Sequence, residues 1–257
     1  VAATVAAEGT QIRLGTGLAP GGNGAAAERR VVRIDGAPQS GAAALAQVLS
    51  VVWLTPEMDR LFDDAAANRR RFFDRLAFGL DAGHASRLNA YERALRERSR
   101  LLRDGCADAA WLDATEAAMA GNGVAVAAVR RETLARLSAA LDTADQGPFP
   151  RAELALEGLL ESWLDDSAAI DVEDRFARLL WQSRGRDAQA GRALDGPHRS
   201  DLAVRHGDTG MQASACSTGQ QKALLIAIVL ANARMLKSVA AAPILLLDEV
   251  AAHLDAG

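Results

Sequence analysis

The chain has 257 residues, 49% hydrophobic and 24% charged, which suits one large domain or two small ones and excludes a disordered tail or a collagen-like fibre. With 29 basic and 33 acidic residues its formal charge is −4, so it is no simple basic coat for nucleic acid. Cys106 and Cys216 make neither a metal-ligand cluster nor a disulfide framework, which fits a reducing cytoplasm, and no charged segment leading into an apolar run marks a signal peptide.

Residues 10–14 and 31–34 alternate polar and apolar side chains and are expected as the strands of a hairpin, joined by a glycine-rich loop. Residues 36–56 carry no charge, yet Pro38, Gln39, Ser40, Gly41, Gln47 and Ser50 interrupt them too often for a membrane span. Residues 48–54 are a β-branched and aromatic run that reads as a buried strand. Thr55-Pro56-Glu57 then opens a helical region, with proline at the first helical position. Phe72, Phe73, Leu76 and Phe78 mark a helix over 66–78, and Leu88, Tyr91, Leu95 and Leu102 one over 85–103. Val126, Val129, Leu134, Leu137 and Leu141 mark another over 124–141. Gly147-Pro148-Phe149-Pro150 breaks the chain. Leu156, Leu159, Leu160, Trp163 and Leu164 predict the next helix, and Phe176, Leu179, Leu180 and Trp181 a further one. After Gly185 the grammar becomes α/β: a turn at Gly196–Arg199, a short strand at 201–206, an apolar helix over 223–236 and a strand at 244–247.

Charge is unevenly spread along the helical middle. Residues 69–103 hold ten arginines against four acids, a net of +6; residues 104–174 hold fifteen acids against four arginines, a net of −11. A long antiparallel arm with one basic and one acidic leg is expected. The basic leg either touches phosphate backbones or is a solvated helix face.

Three patterns carry chemistry. Ile244-Leu245-Leu246-Leu247-Asp248-Glu249 is four aliphatic residues, expected to be buried on both faces, ending in two acids. An acid at the carboxyl end of such a strand projects into the crevice where open α/β sheets bind ligands. One carboxylate there can hold a Mg²⁺ and the next can orient an attacking water. This is a Walker B pattern followed by a glutamate; a core strand closed by an acidic turn has the same letters. About thirty residues upstream, Ser217-Thr218-Gly219-Gln220-Gln221-Lys222 precedes the apolar helix, where a hydroxyl and free N–H groups can meet a phosphate or serve as an ordinary N-cap. Ala251-Ala252-His253-Leu254-Asp255 follows the acids, and its offset resembles the D-loop of ABC-type ATPases.

In this order and spacing the three resemble an ABC-type ATPase, and the resemblance narrows to the RecF family. Gly196-Pro197-His198-Arg199-Ser200-Asp201-Leu202 looks like that family's GPHR-D-L block, Ser217 to Leu225 like its version of the signature, and Ala242 to Val250 like its Walker B. Val52 to Asp59 and Arg69-Arg70-Arg71-Phe72-Phe73-Asp74-Arg75-Leu76 look like its block of strand, Pro-Glu and RRRF-DR. The match runs from about residue 48 to 255.

The resemblance departs at two points. The second acid is Glu249, where RecF proteins usually carry a second aspartate. No G-x-x-x-x-G-K-[ST] phosphate loop is present: Lys222 and Lys237, the two lysines of the chain, are not preceded by glycine, and Gly21-Gly22-Asn23-Gly24 lacks both lysine and hydroxyl. The family carries that loop nearer its start, so a sequence trimmed at both ends is expected.

The resemblance implies an α/β fold: an incomplete ABC-ATPase-like head (1–54 and 191–257) with an inserted α-helical arm (55–190). It implies ATP and Mg²⁺ as cofactors, weak ATPase activity in the full-length protein, and an ATP-dependent homodimer. That dimer binds single-strand/double-strand DNA junctions in DNA repair, replication and recombination, with a part in the SOS response, and works with RecR and RecO to load RecA on gapped DNA. By matching position, Asp248 coordinates Mg²⁺ through water and Glu249 orients the hydrolytic water. Ser217, Gly219 and Gln220 meet the nucleotide of the opposite subunit, and Asp255 couples the two sites. Arg69, Arg70, Arg71 and Arg199 are expected at DNA, or else as braces of the head–arm joint. Two other readings stand beside this one: the nucleotide-binding subunit of a transporter, and a non-hydrolysing fragment that binds DNA or a partner.

Overall fold

A computed structural model describes residues 1–7, 10–19, 29–39, 41, 44–45, 48–105, 108–143, 149–239 and 243–248. The first strands, β1 (Ala2–Ala7), β2 (Thr10–Ala19), β3 (Arg29–Ile34) and β4 (Ala37–Gln39), form an antiparallel meander in sequence order. The expected hairpin is its centre, with Leu14 opposite Ile34 and Thr16 opposite Val32. Leu14 and Val32 are its buried residues. Asp35 and Gly36 join β3 to β4 with positive φ at both, the turn whose twist matches that of the strands. The connecting glycines Gly21, Gly22 and Gly24 lie outside the described residues.

Strand β5 (Val51–Leu54) pairs in parallel with β8 (Ile244–Leu247), Val51 opposite Ile244 and Leu54 opposite Leu247. After β5, Pro56–Arg60 make a 3-10 turn with proline at its start, where a continuous helix was expected. Helices α1 (Ala66–Leu80), α2 (His84–Arg103) and α3 (Ala109–Asp142) follow. α3 has 34 residues, so it starts well before the expected 124 and is about 50 Å long at 1.5 Å per residue. Its first half is alanine-rich, good for helix but poor in the large side chains that reveal periodicity.

Leu156 belongs to a strand, not to the next helix. β6 (Ala152–Glu157) alternates inward Ala152, Leu154 and Leu156 with outward Glu153, Ala155 and Glu157. It pairs antiparallel with β7 (Asp201–His206), and α4 (Leu159–Asp166) starts only after the extended Gly158. The period of two was hidden because Leu156 also falls at helical spacing from Leu159 and Leu160. α5 (Ala169–Gln182), α6 (Arg184–Ala190) and α7 (Thr218–Val239) complete the helices, α7 extending beyond the expected 223–236 at both ends.

Two hydrophobic clusters hold the chain. The first gathers Val52 and Leu54 of β5, Phe72, Phe73 and Leu76 of α1, Leu224 to Val229 of α7, Leu202 and Val204 of β7, and Leu137 and Leu141 from the end of α3. The second joins Tyr91 of α2, Met119, Val124 and Ala127 of α3, Leu160 of α4 and Val172, Phe176 and Leu180 of α5. α2 and α3 run antiparallel, since Arg98 meets Glu116 while Tyr91 lies against Gly123. α3 therefore passes through both clusters, and α1, within the expected arm of 55–190, packs in the first.

The expectation that β8 is buried on both faces does not hold. Ile244, Leu246 and Leu247 are 45%, 56% and 44% exposed. Among the described residues only β5 pairs with β8, and the face shared by Ile244 and Leu246 has no cover.

Candidate functional site

Asp248 follows β8 directly, and its N–H donates to Leu54 O at 3.0 Å, continuing the parallel ladder. Its side chain is exposed at the carboxyl end of the sheet, where α/β folds gather ligands. Among the described residues no three His, Cys, Asp or Glu side chains converge into a metal cage. A single exposed carboxylate of this kind fits a hydrated Mg²⁺ that takes its other oxygens from phosphate and water. Glu249, His253 and Asp255, the other acids and histidine singled out in this stretch, lie outside the described residues, as does Cys106.

The first turn of α7 closes on itself. Ser217 Oγ accepts from Gln220 N at 3.3 Å, and Gln220 Oε1 accepts from Ser217 N at 3.0 Å, the reciprocal pattern of a capping box. Ser217, Thr218 and Gln220 are exposed and Gly219 half-buried. The next two residues point the other way. Gln221 is buried and its Nε2 donates to Cys216 O and toward the Asp63 carboxylate at 3.3 Å; Lys222 is buried with Nζ 3.3 Å from Asp59. The helix thus shows its N-terminus to solvent from a fastened base. Among the described residues no hydrogen bond or ion pair links this turn to Asp248.

The four candidate arginines divide. Arg69 makes a two-bond fork with Asp201 at 2.8 and 2.6 Å and also donates to the carbonyls of Phe62 and Asp64. Arg70 donates to Ser200 O at 2.7 Å. Burial, then the nearby Arg130, and more weakly Arg199, lower the pKa of Arg70. Arg71 is exposed and donates to Asn68 of its own helix. Arg199 is exposed, while the residues around it are engaged.

That engagement is the main feature sequence reading missed. Gly196 has φ +133°, and a Cβ there would stand 2.4 Å from the Tyr91 hydroxyl. Pro197 O accepts from Arg130 at 2.7 Å. Burial holds His198 below its ordinary pKa, so its ring is neutral. Its Nε2–H donates to Ala193 O, leaving Nδ1 to accept from Tyr91 O–H at 2.7 Å, and burial keeps that phenol protonated by raising its pKa. Ser200 Oγ donates to both oxygens of Glu161 at 2.8 Å. Arg130, almost fully buried, forks onto Asp74 at 2.8 Å twice and reaches Glu161 at 3.4 Å; His84 Nε2 donates to Asp74 at 2.9 Å. Burial pushes the Asp74 carboxyl up, but the bonds from His84 and Arg130 outweigh it and hold it below its usual range. Helical phase carried the signal: Arg98 shares a stripe with Tyr91, and Arg130 one with Val126, Leu137 and Leu141, so both point to the core.

No protein-family model matches the chain. Curated proteins do. The DNA replication and repair protein RecF of Mesorhizobium japonicum is 51% identical over 250 residues, covering 96% of this chain and 65% of that protein. Its counterpart in Brucella suis is 48% identical over 246 residues, covering 95% and 63%. Among solved structures, the recombination mediator protein RecF of the RecFOR pathway, as RecF-ATPrS, superposes with a TM-score of 0.79 at 18% identity over 97% of this chain and 66% of that one. The corresponding RecF-ATP structure gives 0.77 at 19% identity, over 95% and 65%. At such identity the structures speak for the fold, which is α/β: part of an ABC-ATPase-like head with an inserted helical arm. This chain spans about 65% of the length of the curated relatives, and over that span the sequence match and the shared fold agree: it belongs to the RecF family of DNA replication and repair proteins.

Proposed function

We infer that the full-length protein is an ATP-operated DNA-repair clamp whose nucleotide site is shared between two copies. The observation that carries this is the exposed Ser217–Gln220 turn, capped and firmly based, with no hydrogen bond or ion pair to Asp248 among the described residues. In this reading Ser217, Gly219 and Gln220 present N–H groups and a hydroxyl to a nucleotide held by the partner copy, at the positive end of α7. Asp248 orients the hydrated Mg²⁺, Glu249 receives a hydrogen bond from the hydrolytic water, and Asp255 carries closure from one site to the other. When bound, ATP with Mg²⁺ supplies the phosphoryl group and the charge that draws the two faces together. Residues 1–54 and 191–257 act as head and 55–190 as arm, with α1 and the end of α3 packed on the head core.

Arg71 and Arg199 are the candidate DNA contacts that remain open. Arg199 is exposed and its charge weakly lowers the pKa of the half-buried Arg70, so a phosphate bound there would relieve the repulsion. Arg69 and Arg70 stand behind them as braces. The preferred DNA is a single-strand/double-strand junction, and the downstream steps are those of RecR, RecO and RecA loading in the cytoplasm. Two features count against a transporter subunit: the long arm and the Gly196–Leu202 block. Among the described residues no helix is long and apolar enough to cross a membrane. The present 257 residues, lacking a G-x-x-x-x-G-K-[ST] loop, are expected to be silent as an ATPase by themselves.

The test is sedimentation of the full-length protein with and without ATP, with gapped DNA present or absent. ATP should produce dimers that bind the junction. Glu249→Gln should slow hydrolysis by about a hundredfold or more and prolong the dimer. A monomer at all nucleotide concentrations would sink the shared-site reading.

A further inference from the structure

The signature turn is fastened from below by residues that no part of the proposed site includes. Buried Gln221 donates to Asp63, and buried Lys222 pairs with Asp59; both acids lie in the turn between β5 and α1. The same segment is gripped from its other end. Arg69 of α1 donates to the carbonyls of Phe62 and Asp64 while forking onto Asp201 at the start of β7. The next residue, Arg70, holds Ser200 O, and one turn further Asp74 holds the Arg130 guanidinium that α3 brings from the arm. The first half of α1 is thus bonded to the arm joint through Arg70 and Asp74 and, through Arg69, to the turn that carries Asp59 and Asp63.

We propose that Asp59 and Asp63 are positioning residues for the signature: they fix the phase of the first turn of α7, and α1 sets their place relative to the arm. This rests on the reading of Ser217–Gln220 as the face offered to a nucleotide on a second copy. Position matters there because three or four N–H groups must point at one phosphate, and a helix freed at its base can rotate or fray within its first turn. The two acids act on the turn through Gln221 and Lys222, the buried side chains at its base, and not through the exposed Ser217, Thr218 and Gln220.

Both positions tolerate change. Asp63 is exposed and Asp59 only partly covered, so their substitution leaves the core intact. In the full-length protein, Asp63→Ala and Asp59→Ala should each shift ATP-driven dimerisation to roughly three- to tenfold higher ATP, the scale of one lost hydrogen bond, and raise KM far more than they lower kcat. Binding of ATP to the protein at concentrations too low for dimers should not change; the melting temperature of Asp63→Ala should stay close to wild type, while Asp59→Ala, which takes a carboxylate from buried Lys222, should lower it. Asp63→Asn keeps an acceptor for Gln221 and should restore the wild-type ATP dependence. If the double substitution Asp59→Ala/Asp63→Ala dimerises and hydrolyses like wild type, the positioning role is wrong. If wild type itself fails to dimerise with ATP, the shared-site reading falls instead, so the two failures are told apart.

Discussion

Arg98 and Arg130 are both fully or almost fully buried guanidinia, yet they hold different things together. Arg98 lies inside the arm: it bonds Glu116 of α3 at 2.8 Å, Asp187 of α6 at 2.7 Å and Leu180 O of α5 at 2.7 Å. Arg184 shares Glu116 and also pairs with Asp113, so the cations and carboxylates of this cluster all come from the arm's own helices. Arg130 sits where α1, α3, α4 and the Gly196–Asp201 block meet, and its partners Asp74 and Glu161 sit on helices that pack in different clusters. The first arginine closes a unit; the second fastens two units. A buried charge network therefore marks either kind of place, and only the origin of its partners says which.

The comparison breaks most visibly on removal of either guanidinium. Arg98→Met and Arg130→Met each take the shared guanidinium from two buried carboxylates, which keep only Arg184 and Ser183 in the first case and His84 and Ser200 in the second, and should cost about 3 kcal/mol. By hydrogen exchange Arg98→Met should loosen amide protection in α2, α5, α6 and the start of α3, while Arg130→Met should loosen α1 and β7. Gly196→Ala comes next, at about 2 kcal/mol, because the new Cβ meets Tyr91 and the left-handed backbone suits glycine. Its damage should centre on the joint and spare the Arg98 cluster.

Acid should act on the joint too. His198 is neutral in the fold, its pKa lowered from the ordinary 6.5, so the unfolded chain takes up its proton first. Its contribution is present above that pH and lost as pH falls below it. Asp74, held below its usual 3.8, adds a second loss under that value. The melting temperature should fall between about pH 7 and pH 5, and His198→Gln should flatten that limb. The smallest effect on folding belongs to the exposed arginines. Arg71→Ala or Arg199→Ala should leave stability within about 0.5 kcal/mol. In the full-length protein each should reduce the salt dependence of DNA binding by about one phosphate contact.

Much of the frame was readable in the residues. The strands at 201–206 and 244–247 have the expected bounds, and the 85–103 helix is off by one residue. β-branched and aliphatic runs between breakers leave little choice. Where periodicities compete or large side chains are scarce, as at Leu156 and in the first half of α3, the pattern fails. Asp35-Gly36 was a strong hairpin signal that went unread. The motifs placed Asp248 and Ser217 on their proper elements, but the charge tally misled. Arg69, Arg70, Arg75, Arg87 and Arg98 all belong to the +6 leg. Arg75 lies over the Trp53 ring at 4.7 Å, Arg87 pairs with Asp81, and the other three are bonded across elements. Net charge counts side chains without saying which of them have partners across the fold.

In the shared-site reading, the turn at Ser217 and the carboxylate at Asp248 work on one nucleotide only when they come from two copies. Mixing full-length Ser217→Arg with full-length Asp248→Asn tests it most directly, since each variant alone should be inactive. A mixed dimer holds one intact composite site, so random pairing should restore about a quarter of wild-type hydrolysis. No recovery on mixing, with dimers shown to form, would contradict the account.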